Sequence, residues 1–308
     1  MDRNHLQPVA FLFAGQGNPT IGMGADLWDS NSQSKVIWDC ASDISGIDIR
    51  RICLKGPMNK LVHTLHQQIA ITAINVTLFH LYREKRPEHE IFGVCGHSVG
   101  EYAALYAANV LTLEDLFRCI YFRAQLMDTL SQVNKGTMQV VKGIDHQRLV
   151  ELIGQVNLPV DVSCDNSNRQ QVIGGEPQAL REMASYLMNN HILLTKLAVS
   201  GAWHTRLMQD GIERMRDFLA TIEIQSPQHK LWMNVTGMTE TLPEKIRDNL
   251  ALHLTHTVQW RTSMNQLLVQ ASSSSLCLIE VSNKPYLRNL LSDFETFSPA
   301  MSLHCKDL

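Results

Sequence analysis

Apolar runs and apolar stripes alternate along this chain. Mainly apolar runs of strand length stand at residues 9–13, 91–96, 230–235 and 276–281. Runs without polar alternation predict strands buried on both faces. Between them, apolar residues recur every three or four positions. Residues 68–82 carry Ile69, Ala73, Val76 and Phe79 on one stripe, and residues 113–130 carry Leu116, Ile120, Met127 and Leu130. Both spacings predict helices. Residues 28–49 and 102–108 are also helix-compatible. Buried strands alternating with helices predict an α/β fold with a mainly parallel, covered sheet.

The texture changes between residues 131 and 199. Short strand-like stretches at 137–141, 160–164, 170–173 and 192–197 enclose helix-like stretches at 146–156 and 176–190. That β-α-β-β-α-β order predicts a ferredoxin-like small subdomain at 131–199. It interrupts a large subdomain formed by residues 1–130 and 200–308. Residues 204–220 read as a further helix, and Ser282-Asn283-Lys284-Pro285 reads as a turn into a last one.

Composition narrows the class without naming it. At 308 residues, 44% hydrophobic and 19% charged, the chain can bury a large core. A net charge of -3 gives no reason to expect nucleic acid or an anionic membrane as partner. The seven cysteines are scattered, odd in number and without C-x-x-C spacing, which points to reduced thiols and away from a zinc site. The start, Met1-Asp2-Arg3-Asn4-His5, has no secretory pattern, and the run at 9–15 is too short to span a bilayer, so a cytoplasmic location is expected.

Candidate chemistry is concentrated after the second apolar run. Gly96-His97-Ser98-Val99-Gly100 is G-x-S-x-G in a strand–turn–helix context, the setting of a nucleophile elbow. Flanking glycines let strand and helix pass closely, so Ser98 Oγ stands clear at a helix N-terminus that favours negative charge. A glycine-rich turn with an incidental serine is the plain alternative. Ala14-Gly15-Gln16-Gly17-Asn18-Pro19 is another glycine-rich loop after a strand, but it lacks the spacing and ending of a nucleotide loop. Arg123 falls on the apolar stripe of residues 113–130, where a charge must find a partner. A protein carboxylate, snorkelling to solvent, or a substrate carboxylate held by the planar guanidinium would each supply one. His204 follows the inserted unit on a small-residue turn.

Taken in order, Phe13-Ala14-Gly15-Gln16-Gly17, Gly96-His97-Ser98-Val99-Gly100-Glu101, Arg123 in Phe-Arg-Ala-Gln-Leu-Met, Gly201-Ala202-Trp203-His204 and Val258-Gln259-Trp260 resemble the malonyl-CoA:acyl-carrier-protein acyltransferase family. The resemblance covers roughly residues 8–300 and looks like a discrete acyltransferase of polyketide or fatty-acid synthesis. It implies an α/β-hydrolase-like large subdomain, Ser98 as nucleophile and His204 as base, oriented by main-chain carbonyls. It further implies an oxyanion hole from the backbone N–H groups of Gln16 and Val99. Arg123 would bind the malonyl carboxylate, with Gln68 and His97 in support. Trp203 stands where malonyl-using relatives often carry phenylalanine; a large aromatic there disfavours a branched extender or reshapes the pocket for an unusual one. Cys164 replaces an asparagine of some relatives, and residues 282–285 replace a Gly-Pro-Gly-type turn. The implied substrates are malonyl-CoA and the phosphopantetheine of an acyl carrier protein, with no metal or bound cofactor. An acyl hydrolase that clears carrier proteins, and a non-catalytic carrier-docking module, are the competing expectations. Lys284, Arg288, Arg206 and Arg261 are candidate contacts for an acidic carrier.

Overall fold

The structure, a computed structural model, describes residues 7–17 and 19–307; the sequence readings at residues 1–5 and at Asn18 lie outside them. The chain opens with β1 (Pro8–Phe13) and the helices α1 (Ser32–Ser45), α2 (Ile49–Lys55), α3 (Met58–Leu61) and α4 (Thr64–Lys85), then enters β2 (Glu90–Gly96). Next come α5 (Gly100–Ala107) and α6 (Leu113–Val133). The inserted unit holds β3 (Thr137–Lys142), α7 (His146–Val156), β4 (Val160–Asp165), β5 (Gln170–Gly175), α8 (Pro177–Asn189) and β6 (Leu193–Lys196). The chain returns through α9 (Ile212–Leu219), β7 (Lys230–Trp232), α10 (Pro243–Leu252), α11 (Trp260–Ser273), β8 (Cys277–Val281), α12 (Leu287–Leu291) and β9 (Ser302–His304).

Among the described residues, the larger sheet runs β7-β2-β1-β8-β9, with parallel pairing throughout. Its central strand β1 reads Val-Ala-Phe-Leu-Phe, and all five of those residues are buried. Side chains on both faces meet helices, which is why the run shows no polar alternation. Phe11 makes edge contacts with Phe79 and Tyr82 of α4, with ring centroids 5.1 and 5.2 Å apart. The apolar stripe of α6 is buried at every position, Arg123 included.

A second sheet has the order β4-β5-β3-β6, with antiparallel pairing. This is the ferredoxin-like strand order for a β-α-β-β-α-β unit. Its two faces do different things. Val141 and Ile173 point into a separate core with α7 and α8. Met138, Cys164 and Val172, on the other face, join the core of the larger sheet. The amphipathic strands thus bury one face locally and offer the other to the core of the larger sheet. Val258 stitches the parts together, exchanging backbone bonds with Ser163 and Asp165 at 2.9 Å each.

Several elements depart from the sequence expectation. The helix expected at 204–220 is a 3₁₀ turn, Arg206–Gly211, followed by α9. His204 has φ 58°, a left-handed conformation that cannot begin an α-helix. The strand expected at 230–235 stops at Trp232, because Asn234 turns away to bind the elbow. The helix expected at 28–49 starts only at Ser32, where Asn31 Oδ1 caps Ser34 N at 2.7 Å. The three-residue β9 was too short to leave a periodic signal.

Candidate active site

Strand β2 runs at α5 head-on, and the turn between them must be tight. A Cβ on Gly96 would meet Gly100 backbone at 2.1 Å, and one on Gly100 would meet Phe13 O at 2.2 Å. Only glycine fits at either position. Between them Ser98 takes φ 50°, a strained conformation for a residue with a side chain. The surroundings hold it there. Asn234 Oδ1 accepts from Ser98 N at 2.8 Å, and Asn234 Nδ2 donates to Gly96 O at 2.6 Å. Asn234 N in turn donates to the buried Glu101 Oε1 at 2.5 Å.

Opposite the elbow, the turn after Gly201 presents His204. Thr205 Oγ1 donates to Ala202 O at 2.7 Å and accepts from Leu207 N at 3.3 Å, which closes that turn. His204 Nε2 lies 2.8 Å from Ser98 Oγ, and His204 Nδ1 lies 2.6 Å from His253 O. A carbonyl can only accept, so Nδ1 carries the proton and Nε2 is left as the acceptor for Ser98. Burial holds the His204 imidazole well below its ordinary pKa, and His253 and Arg123 push the same way. The His253 ring stacks on His204 with centroids 4.7 Å apart. Its Nδ1 sits 2.8 Å from Glu101 Oε2, without hydrogen-bond alignment. Burial raises the Glu101 carboxyl to about 8.

The other sequence candidates gather around this pair. The backbone N–H groups of Gln16 and Val99 make no hydrogen bond among the described residues. The loop carrying Gln16 packs tightly against the elbow: a Cβ on Gly15 would meet His97 O at 2.4 Å. Asn75 Nδ2 holds Ala14 O at 2.8 Å, and the Gln16 side chain is tied to Gln67 at 2.8 Å. His97 Nε2 lies 2.8 Å from Asn166 Oδ1 and its ring meets Trp260 edge-on. Trp203 and Cys164 line the same cavity as Ser98 and His204, a space of about 280 Å³.

Arg123 is wholly buried and does not line that cavity. Its Nη1 donates to Gln68 Oε1, and its guanidinium sits 5.7 Å from the Tyr102 ring centroid. Nε and Nη2 have no partner among the described residues. Of the three partners open to it, neither a protein carboxylate nor bulk solvent is what it meets here. Three of the four expected carrier contacts are already paired: Arg206 with Asp161, Arg261 with Asp165 and Arg288 with Asp307. Asn234, His253, Glu101 and Asn166 carry no role in the sequence reading. Asn234 had one faint signal, a poor strand former at the end of an apolar strand.

This arrangement holds a serine and a neutral imidazole with its tautomer fixed beside one cavity, two backbone donors without partners among the described residues, and a buried guanidinium that does not border that cavity. It can perform acyl transfer through a serine ester. Comparison with known proteins bears on the family. An acyl transferase domain model matches residues 10–298. A malonyl CoA-acyl carrier protein transacylase of Bacillus subtilis is 31% identical over 292 residues, covering 93% of this chain and 71% of the relative. The enzyme of the same name from Haemophilus influenzae is 30% identical over 92% of this chain and 91% of its own. Among solved structures, the malonyl-CoA:acyl carrier protein transacylase of Xanthomonas oryzae superposes with a TM-score of 0.87 at 27% identity, covering 97% of this chain and 94% of that one. A malonyl-transacylase in complex with a type II polyketide synthase acyl-carrier protein gives 0.86 at 26% identity, covering 96% and 94%. By the extent of these matches and by its α/β architecture, the chain belongs to the acyl transferase domain family.

Proposed function

We propose that this chain is a malonyl-CoA:acyl-carrier-protein transacylase of fatty-acid or polyketide biosynthesis, working by a ping-pong route through an ester on Ser98. The observation that carries the malonyl assignment is Arg123, a buried guanidinium with two nitrogens that have no partner among the described residues. A carboxylate on the acyl group supplies the missing acceptor. Gln68 Oε1 occupies Nη1 and leaves Nε and Nη2 for that carboxylate.

The steps follow from the geometry. Ser98 Oγ attacks the thioester carbonyl as its proton passes to His204 Nε2, while His253 O keeps Nδ1 protonated. Negative charge forms on the carbonyl oxygen, where the N–H groups of Gln16 and Val99 would receive it. One such donor is worth about 3 kcal/mol in transition-state stabilisation. The C–S bond breaks, and His204 returns its proton to the leaving CoA sulfur. In the second half, His204 takes the proton of a phosphopantetheine thiol, whose sulfur attacks the ester carbonyl; the Ser98 Oγ–acyl bond breaks and His204 returns the proton to Oγ. His97, fixed by Asn166, borders the elbow, and Trp203 bounds the space beside the malonyl C2. Malonyl-CoA and the carrier-borne thiol are the substrates.

The two sheets with their separate cores support a small subdomain at 131–199 set into a large one at 1–130 and 200–308. Seven free cysteines support action in a reducing compartment, the cytoplasm. Intact-mass measurement of the protein exposed to malonyl-CoA and acetyl-CoA tests the function. Malonyl labelling in preference to acetyl, lost in Ser98→Ala, is the expected result. Preferential acetyl labelling refutes the Arg123 argument, and release of free malonate faster than transfer to a carrier favours the hydrolase.

A further inference from the structure

The catalytic cavity has a wall that the chemistry above does not use. It is the open face of the antiparallel sheet. Met138, Val140 and Lys142 of β3 all border the cavity, as do Val172 of β5 and Thr195 of β6. Residues two apart on a strand share a face, so these form one continuous stripe.

The stripe has a direction. Its inner end lies beside the base: a Cβ on Gly136 would meet the Ala202 side chain at 2.6 Å, and one on Gly174, which pairs with Met138, would meet Thr205 at 2.8 Å. Its outer end is Lys142, which is exposed, whereas Met138 is buried. Four residues of strand separate them, about 13 Å at 3.3 Å per residue. Gly143 N donates to Arg169 O at 2.7 Å, bringing the turn that carries this exposed arginine to the same rim.

Lys142 differs from three of the other cations near the cleft. Arg206, Arg261 and Arg288 are each spent on a carboxylate. Lys142 has no ion pair among the described residues, and the nearby Asp145 is engaged in capping α7 through Arg148 N at 2.8 Å. An apolar wall about 13 Å long that ends in an unpaired ammonium suits a ligand with a thin arm and an anionic end. A pantetheine arm spans about 15 Å when extended, the reach of four to five extended residues, and ends in a phosphate ester.

We propose that Lys142 is the phosphate anchor of this cavity, binding the phosphate ester of a pantetheine arm whose thioester carbonyl lies at Ser98. This rests on the transacylase reading and adds a binding residue to it. One anchor would serve both half-reactions, because CoA and a loaded carrier present the same phosphate at the same distance from sulfur. The apolar part of the wall holds the arm, and the ammonium sets how far it enters.

The test compares substrates with and without the phosphate. Lys142→Ala is expected to raise KM for malonyl-CoA about tenfold, the equivalent of about 1.4 kcal/mol, with kcat little changed. For malonyl-pantetheine, which has no phosphate, KM should not move. As acceptors, 4′-phosphopantetheine should show the same loss and pantetheine none. Lys142→Arg should restore most of the affinity, and Lys142→Glu should weaken it further. A response in both arms assigns the contact to the shared phosphate ester, and one in the CoA arm alone assigns it to the CoA diphosphate. Equal effects on phosphorylated and unphosphorylated substrates, or none on malonyl-CoA, overturn the role of Lys142. A wild-type chain that accepts malonyl from neither donor overturns the transacylase reading itself.

Discussion

Replacing Arg123 by methionine separates the charge from the space it fills. Methionine keeps most of the apolar stem and removes the guanidinium, which is wholly buried and leaves Nε and Nη2 without partners. A malonyl carboxylate placed on those nitrogens gains two charge-assisted hydrogen bonds of about 1.5–3 kcal/mol each. Their loss should cost about 3–5 kcal/mol, or roughly 10²–10⁴-fold in kcat/KM for malonyl-CoA. Acetyl-CoA has no carboxylate to lose, so its kcat/KM should change little and the donor preference should collapse. The ligand-free protein should behave in the opposite sense. A desolvated guanidinium with unmet donors costs of order 1–3 kcal/mol, so Arg123→Met should unfold at equal or higher urea concentration than wild type. The assay is steady-state transfer with both donors beside urea unfolding of the free enzyme. A variant that still discriminates malonyl from acetyl would refute the carboxylate role. A clear drop in the unfolding midpoint would refute the account of Arg123 as strained in the empty site.

Two further expectations concern the buried network. Asn234→Ala removes the bonds to Ser98 N and Gly96 O, so it should lower kcat at least tenfold and reduce stability by about 2–4 kcal/mol, read by activity and urea unfolding. For pH, burial holds His97 and His204 below the ordinary value of 6.5, so these two alone take up two protons on unfolding once the pH falls past 6.5. His66, His80, His89, His229 and His304, lowered by burial as well, add in the same direction. The stability from His97 and His204 is complete above that pH and is lost below it, at up to about 2.7 kcal/mol per pH unit. Glu101 and His253 hold one proton between them in the low-dielectric core. The unfolded pair also holds one between their ordinary values of 4.5 and 6.5, so it adds no slope there. Urea midpoints between pH 5 and 7 measure this, and a flat profile would contradict neutral burial of both histidines.

Much of this protein could be read from local pattern, because local pattern reports local forces. A strand buried on both faces shows as an apolar run, unbroken at residues 9–13 and interrupted by Glu280 alone at residues 276–281. A helix against a core needs three- and four-residue spacing, which residues 68–82 and 113–130 have. The inserted unit could be read for the same reason, since its sheet alternates cleanly between a private core and a shared face. Gly96 and Gly100 announce the elbow because no side chain fits there. The stripe position of Arg123 shows that its charge is buried, though not what it meets.

What the sequence alone determined, then, is most of the order of elements, the burial of each stripe and the tight turn that carries Ser98. The tertiary structure decided everything that depends on distant backbone. That a carbonyl, from His253, orients His204 follows from where α10 ends, and carbonyls have no residue signature. Asn234 reaches Ser98 across 136 positions and ends its own strand to do so. Glu101 touches His253 only because α5 and the end of α10 converge. Hydrogen bonds and charge contacts act over a few ångströms in space, whereas hydrophobic periodicity acts along the chain. Pattern therefore reveals the scaffold, and only folding brings together the groups that do the chemistry.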